Sequence, residues 1–184
     1  AGVPAAFGAL VTALQKWGTM PLSAVIAPAI RFAKEGFPLS EGLRNQHKYG
    51  IVPMRPRFEA EWPGSAQLYL PGGRAPEVGE RFRNPALARV FEYLAAEKDP
   101  LAAFYKGDVA AGIAKYSKEK DGRLAREDLA AFETKIETPA SVKLGDTELF
   151  KTGFWSQGPA GLQTLALMWQ SALKAIGFGP PESR

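Results

Sequence analysis

Trp155-Ser156-Gln157-Gly158-Pro159 is the polar turn of this chain best equipped for chemistry. A serine hydroxyl beside a glutamine amide offers donors and acceptors to an amide or carboxylate substrate. The same residue types also start helices: Ser156 and Gly158 suit a cap, and Pro159 suits a first turn. Capping is the reading these residues favour, with Ser156 and Gln157 kept as candidate substrate-binding residues. No catalytic residue and no metal ligand is assigned. His47 is the single histidine and there is no cysteine, so a multi-histidine or thiolate metal site is excluded. No nucleophile stands near His47 in sequence, so it reads as a surface or helix-end residue. Glu59 and Glu61, two apart, diverge on a helix. Glu127 and Asp128 open a helix, where acids favour the positive end of its dipole. Gly72-Gly73 lacks the lysine-serine/threonine pair of a phosphate loop.

The elements that must position these residues are mainly helical. Gly72, Gly73, Pro76 and Gly79 make a stiff turning loop, after which Asn84 caps a helix with Pro85 in its first turn. Leu87, Val90, Phe91 and Leu94 form one apolar stripe on that helix. Gly107-Asp108 punctuates the chain and starts the next helix, 108–118, which places Val109, Ile113 and Tyr116 together. Further upstream, a helix opening at Val3-Pro4 puts Phe7, Leu10, Val11, Leu14 and Trp17 on one face and stops at Gly18. A second starts near Leu22 and turns Val25, Ile26, Ala29, Ile30 and Ala33 inward, ending at Gly36. Pro28 either kinks it or marks its true first turn. Ser40 caps a short helix. Residues 49–71 read as an irregular connection with one helical turn at 57–61. Helix 126–132 is expected to bury Leu129 and Phe132.

Two alternating runs, Ser141–Leu144 and Thr147–Lys151, flank Gly145-Asp146 and predict a β-hairpin with a two-residue turn. The last helix carries Leu162, Leu165, Ala166, Trp169, Leu173 and Ile176, with Leu167 and Met168 off that stripe. It is apolar nearly all round, which predicts deep burial, and Gly177 ends it. Both sides of the second strand carry apolar groups, Leu149 and Phe150. The expectation is therefore an exposed apolar patch beside the hairpin, or partner chains that cover it.

Length and composition allow one domain of ordinary globular character: 184 residues, 46% hydrophobic. The net charge of +4 comes from 23 basic and 19 acidic residues spread along the chain. A nucleic-acid binder would cluster its basic residues with aromatics between them, so none is expected as partner. No run has the apolar length of a membrane-spanning helix, and no membrane partner is expected. A start at Ala-Gly-Val-Pro without Met reads as a processed or truncated product. The lack of cysteine fits cytoplasm and periplasm alike.

Several of these pieces, in this order, resemble the large subunit of the γ-glutamyltranspeptidase family. They are Gly18–Leu22, Pro28–Ser40 with its Ala-Lys-Glu-Gly-Phe-Pro-Leu-Ser ending, Pro76–Phe82, Asn84–Ala88, Phe104–Gly107 and Glu127–Phe132. Ala5 and Ala125 depart from the family's glycine and hydroxyl cap. Trp155–Pro159 resembles a divergent form of its Pro-Ser-Ser-Gly-Gly segment, shared with transpeptidase-like amidohydrolases. The likeness runs from Val3 to about Ile176.

The resemblance implies an N-terminal nucleophile hydrolase whose complete fold is a four-layer αββα sandwich. This chain would be one incomplete segment of it, helical over 1–135, with the hairpin and a buried helix over 136–178. The parent would cleave γ-glutamyl or related amides and pass the acyl group to water or an amino acid. It would need no metal or organic cofactor. The family's threonine nucleophile, typically in Thr-Thr-His, lies beyond Arg184, and its carboxylate-binding arginine lies before Ala1. The segment alone is then expected to be silent. Its partners would be the remainder of the large subunit and the small catalytic subunit. The alternative is a non-catalytic helical binding module derived from the family, or a binding protein that lost catalysis.

Overall fold

Apolar and aromatic side chains from segments far apart in sequence gather in two clusters, and the first part of the chain is built around them. A computed structural model describes residues 2–170, which fall into two compact units divided after Thr134. The chain is mainly helical, with two small antiparallel sheets. Leu173, Ile176 and Gly177, placed on the last helix by their spacing, lie outside the described residues.

The first unit begins with α1 (Ala6–Trp17) and α2 (Leu22–Glu35). Pro28 lies inside α2, forgoing one backbone bond while the helix continues around it, so it does not mark the first turn. Only part of each expected stripe faces inward. Val11 and Ala33 are buried, whereas Leu10, Trp17 and Val25 are exposed. Gly36 ends α2 at φ 87°, a conformation that favours glycine. The guanidinium groups of Arg81 and Arg83 donate to the Glu35 carbonyl and so cover the helix end.

Beyond Gly36, strand β1 (Phe37–Pro38) pairs with β2 (Arg81–Phe82), joining segments more than forty residues apart. Between them run α3 (Glu41–Asn45), α4 (Ile51–Ala60) and α5 (Pro63–Tyr69). Ser40 caps α3 by accepting from the Leu43 N–H at 3.2 Å. The region 49–71 is thus two helices and not an irregular connection with a single turn. Two Arg–Glu pairs at i, i+4, Arg55–Glu59 and Arg57–Glu61, support α4 despite Pro56 in its interior. The core of this half is Leu39, Ile51, Phe58, Leu70 and Phe82.

The loop from Pro71 to Glu80 is held by arginines, two from outside it and one of its own. Arg55 donates to the Gly73 carbonyl, Arg44 to that of Pro76, and Arg74 forks onto Glu80 at 2.9 Å through both its amino groups. Asn84 then caps α6 (Pro85–Ala96), accepting from the Leu87 N–H at 3.0 Å. Helix α7 (Pro100–Tyr105) is capped by Asp99, and α8 (Asp108–Glu119) follows Gly107. Helix α9 (Arg126–Ala130) is shorter than expected; it buries Leu129 completely but leaves Phe132 half-buried. The stripe Val109, Ile113 and Tyr116 does not turn into the core; Ala110 does.

A second aromatic cluster joins the ends of this unit. Phe7 stacks on Phe104, and Tyr105 on Phe132, with centroids 4.7 and 4.9 Å apart. The buried Tyr105 hydroxyl accepts from the Gly8 N–H at 3.0 Å and donates to the Pro4 carbonyl at 2.7 Å. A Cβ on Gly8 would fall 2.7 Å from that hydroxyl, so only glycine allows the approach.

The second unit contains β3 (Ala140–Leu144), β4 (Thr147–Lys151) and α10 (Gly158–Trp169). The hairpin has the expected register, Val142 opposite Leu149 and Ser141 opposite Phe150. Gly145 takes φ 62° at the first turn position, where a type II′ turn wants glycine. Helix α10 packs on the strands, and Val142, Leu144 and Leu149 are partly covered. Phe150, on the other face, is exposed. The expected deep burial of the last helix does not hold within this unit. Leu162 is buried, but Leu167 and Met168 are exposed, because among the described residues two strands alone lie beneath the helix. The expected apolar exposure is present.

Two measurements test these supports. Replacing Tyr105→Phe leaves a buried N–H and a carbonyl unpaired, and should lower the unfolding free energy by about 1–3 kcal/mol. Urea denaturation should show that loss, with Tyr116→Phe unchanged as the control. The fork from Arg74, with a further bond from the Glu77 N–H, holds the Glu80 carboxyl down at about 2. A depressed carboxylate stabilises the fold above its unfolded value and loses that contribution as pH falls toward its folded one. Stability should therefore decline between roughly pH 4.5 and 2 through this group. Glu80→Gln should flatten the part of that decline belonging to the loop, read by amide exchange at 71–80.

Candidate functional site

Strand β4 ends at Lys151, and the chain must reverse into α10 within six residues. Glycines 153 and 158 permit the reversal and hydroxyls hold it. The Ser156 hydroxyl donates to the Gly153 carbonyl at 3.0 Å and accepts from the Gly158 N–H at 3.0 Å. Thr152 Oγ1 lies 2.5 Å from Ser156 Oγ. Ser156 has a single proton, already directed at Gly153, so Thr152 donates to it. One proton and two lone pairs are then all engaged. Ser156 is a structural hub of the turn, in line with the capping expected of it.

Gln157 stands at the cap position of α10, exposed, with no side-chain bond to the helix end. Its amide is the polar group of this turn that faces solvent. Gly158 is buried, and a Cβ there would collide with the Thr152 carbonyl oxygen. The helix N-terminus is therefore pressed against the end of β4. Beside it, Phe154 is 92% and Trp155 72% exposed. Trp155 Nε1 donates to Glu137 Oε2 at 2.6 Å, tying the turn to the segment that enters the hairpin.

Sequence reasoning placed Ser156, Gln157 and Gly158 in this turn but missed Thr152 and Glu137. The Thr152 signal was present, since a hydroxyl four residues before another, across a glycine, can bond back in a turn. Nothing in the sequence marked Glu137, because it reaches Trp155 only after the hairpin has formed.

The other polar candidates serve the scaffold. Glu59 and Glu61 pair with Arg55 and Arg57, and the Arg57 hydrogen bond lowers the Glu61 carboxyl below its ordinary value. Asp128 reaches back to the Ala125 N–H at 2.8 Å, replacing half of a capping box where alanine supplies no hydroxyl. Gly73 uses its N–H on the Leu70 carbonyl, leaving no anion cradle. His47 lies exposed in the turn after α3. Thr164 bonds back to the Ala160 carbonyl within α10. Among the described residues, no three acids or histidines converge as metal ligands.

Comparison with known proteins gives these elements a family. The family model described as Gamma-glutamyltranspeptidase matches residues 1–183. The glutathione hydrolase proenzyme of Escherichia coli K12 is 29% identical over 183 residues, covering 99% of this chain but 30% of its own length. The γ-glutamyltranspeptidase of Helicobacter pylori superposes with a TM-score of 0.80 at 27% identity, over 92% of this chain and 47% of that one. A cephalosporin acylase from Bacillus halodurans superposes at 0.72 with 30% identity, over 80% of this chain and 27% of its own. The chain thus spans about a third of the length of the Escherichia coli proenzyme that it matches. A match that runs through both units, from α1 to the turn before α10 and beyond, makes this chain a member of the γ-glutamyltranspeptidase family.

Proposed function

We propose that this chain is a large-subunit segment of an N-terminal nucleophile hydrolase that acts on γ-glutamyl or related amides. The observation that carries the reading is the family match over residues 1–183, through both units. The relative from Escherichia coli is named a glutathione hydrolase, and the neighbour from Bacillus halodurans an acylase. Both names describe attack on an amide carbonyl.

In this reading the nucleophile is a threonine freed by cleavage of the parent polypeptide. Its hydroxyl attacks the amide carbonyl while its own amine takes the proton. The amine returns that proton to the amide nitrogen, which departs as an amine, and a threonyl ester remains. Water or the amine of an amino acid then attacks that ester and releases the acyl group. None of the described threonines is proposed for this role. Thr152 and Thr164 are engaged in local bonds, and no Thr-His pair occurs in the chain.

The segment would contribute scaffold and one wall. Phe150, Phe154, Trp155, Leu167 and Met168 are exposed on the second unit, and the remainder of the large subunit and the small subunit would cover them. The hairpin would thereby become part of a larger sheet in a four-layer αββα sandwich, since two strands alone are marginal in water. At the turn, Gln157 is the group proposed to face substrate, with Ser156 holding it in place.

The test is activity of the segment and of its parent on a γ-glutamyl anilide. Purified residues 1–184 should show no turnover, and the autoprocessed parent should show turnover that vanishes when its N-terminal threonine is replaced. Turnover by the segment that disappears on mutating one of its own threonines would overturn the reading. Within an active parent, Gln157→Ala should raise KM several-fold with little change in kcat. Gly158→Ala should instead lower the melting temperature, because its methyl group meets backbone at Thr152.

A further inference from the structure

Gln157 is held between two residues that both rest on Thr152. The Thr152 hydroxyl lies 2.5 Å from Ser156 Oγ, and the Thr152 carbonyl oxygen is the nearest atom that a Cβ on Gly158 would meet. One residue, placed just past the end of β4, thus lies against both chain neighbours of Gln157. The Gln157 carbonyl accepts from the Gly161 N–H at 3.0 Å, which fixes that end of its peptide to α10. Its side-chain amide makes no hydrogen bond among the described residues, so the backbone alone aims it.

Neither β4 nor α10 needs the Thr152 hydroxyl. The strand ends at Lys151, and Ser156 can accept from the Gly158 N–H and donate to the Gly153 carbonyl without it. What the Thr152 proton adds is a third bond. With its proton and both lone pairs engaged, the Ser156 side chain has one orientation; with a lone pair free, it can turn toward water. Threonine suits the donor position because a β-branched side chain is stiff at χ1. The bond is exposed, so water replaces it when it is lost and the fold stays intact. The Trp155–Glu137 bond continues to hold the same turn from its other side. The effect of Thr152 is therefore on direction more than on stability.

We propose that Thr152 is a positioning residue for the reaction, acting through Ser156 to aim the Gln157 amide at the substrate. The inference rests on the hydrolase reading and on Gln157 as the group that faces substrate. Thr152 itself touches neither the substrate nor the nucleophile. The Gln157 side chain carries both a donor and an acceptor, which match the carbonyl and N–H of an amide substrate. Contacts of this kind weaken when the group that makes them is displaced by about 1 Å. Loss of the Thr152 hydroxyl therefore shows first in KM.

The test uses the autoprocessed parent and a γ-glutamyl anilide. Thr152→Val keeps the branched shape and removes the hydroxyl. It should raise KM about threefold, with kcat and melting temperature close to those of the unmodified enzyme. Thr152→Ser restores the hydroxyl and should return KM to its original value. Thr152→Ala is a second variant without the hydroxyl, should the valine variant fail to mature. Adding Thr152→Val to Gln157→Ala should raise KM no further, because Thr152 acts through Gln157 alone. Unchanged KM in both hydroxyl-free variants, a serine variant as impaired as the valine one, or effects that multiply in the double variant would each overturn the inference and leave the hydrolase reading standing. So would an unchanged KM in Gln157→Ala, since the turn would then not face substrate. A parent without turnover would sink the hydrolase reading itself, and the inference with it.

Discussion

The stack of Phe58, Tyr69 and Phe82, with Phe37 against its end, is the interaction on which the larger unit depends. Their ring centroids follow one another at 5.2, 5.6 and 5.7 Å. Each ring comes from a different segment: α4, α5, β2 and β1. Aromatic contacts of this kind contribute about 0.5–1.5 kcal/mol each beyond the area they bury. Their greater consequence is geometric. To bring Phe82 beside Phe37, the chain must return from α5 through a loop rich in glycine and proline. That loop holds little apolar material, so arginines on α3 and α4 bond its carbonyls from outside. Helix α6 leaves from that fixed point, and its packing on α2 follows.

The second unit obeys the opposite logic. Its interior is thin: one helix on one face of two strands, with Leu162 its one buried large side chain among the described residues. What holds the turn between them is polar and local, the Thr152–Ser156–Gly158 relay and the Trp155–Glu137 bond. Such a unit keeps a turn in a defined shape while leaving aromatic surface uncovered. Among the described residues of this unit, two strands and a helix do not enclose Phe150 and Leu167 together. Charged pairs play a smaller role in both units. The ion pairs are largely solvent-exposed, where each contributes about 0–1 kcal/mol.

The sequence by itself determined most helix starts, the hairpin and the family. Asn84-Pro85, Ser40 and Gly145-Asp146 act through bonds within three or four residues, so their effect is legible from types and spacing alone. Ser156 as a capping group was legible for the same reason. Tertiary structure decided which face of each helix is inside. Val109, Ile113 and Tyr116 make a sound apolar stripe, yet Ala110 is the buried residue of α8, because α7 and α9 pack on that side. Spacing shows that a stripe exists and cannot show which neighbour arrives to cover it. Tertiary contact also decided that Pro56 would be accepted inside α4, where Phe58 anchors the helix in the aromatic stack. It created the pairing of Trp155 with Glu137 and of Tyr105 with Pro4 and Gly8. Those partners are 18, 101 and 97 residues apart, and only the folded chain brings their atoms within hydrogen-bond distance.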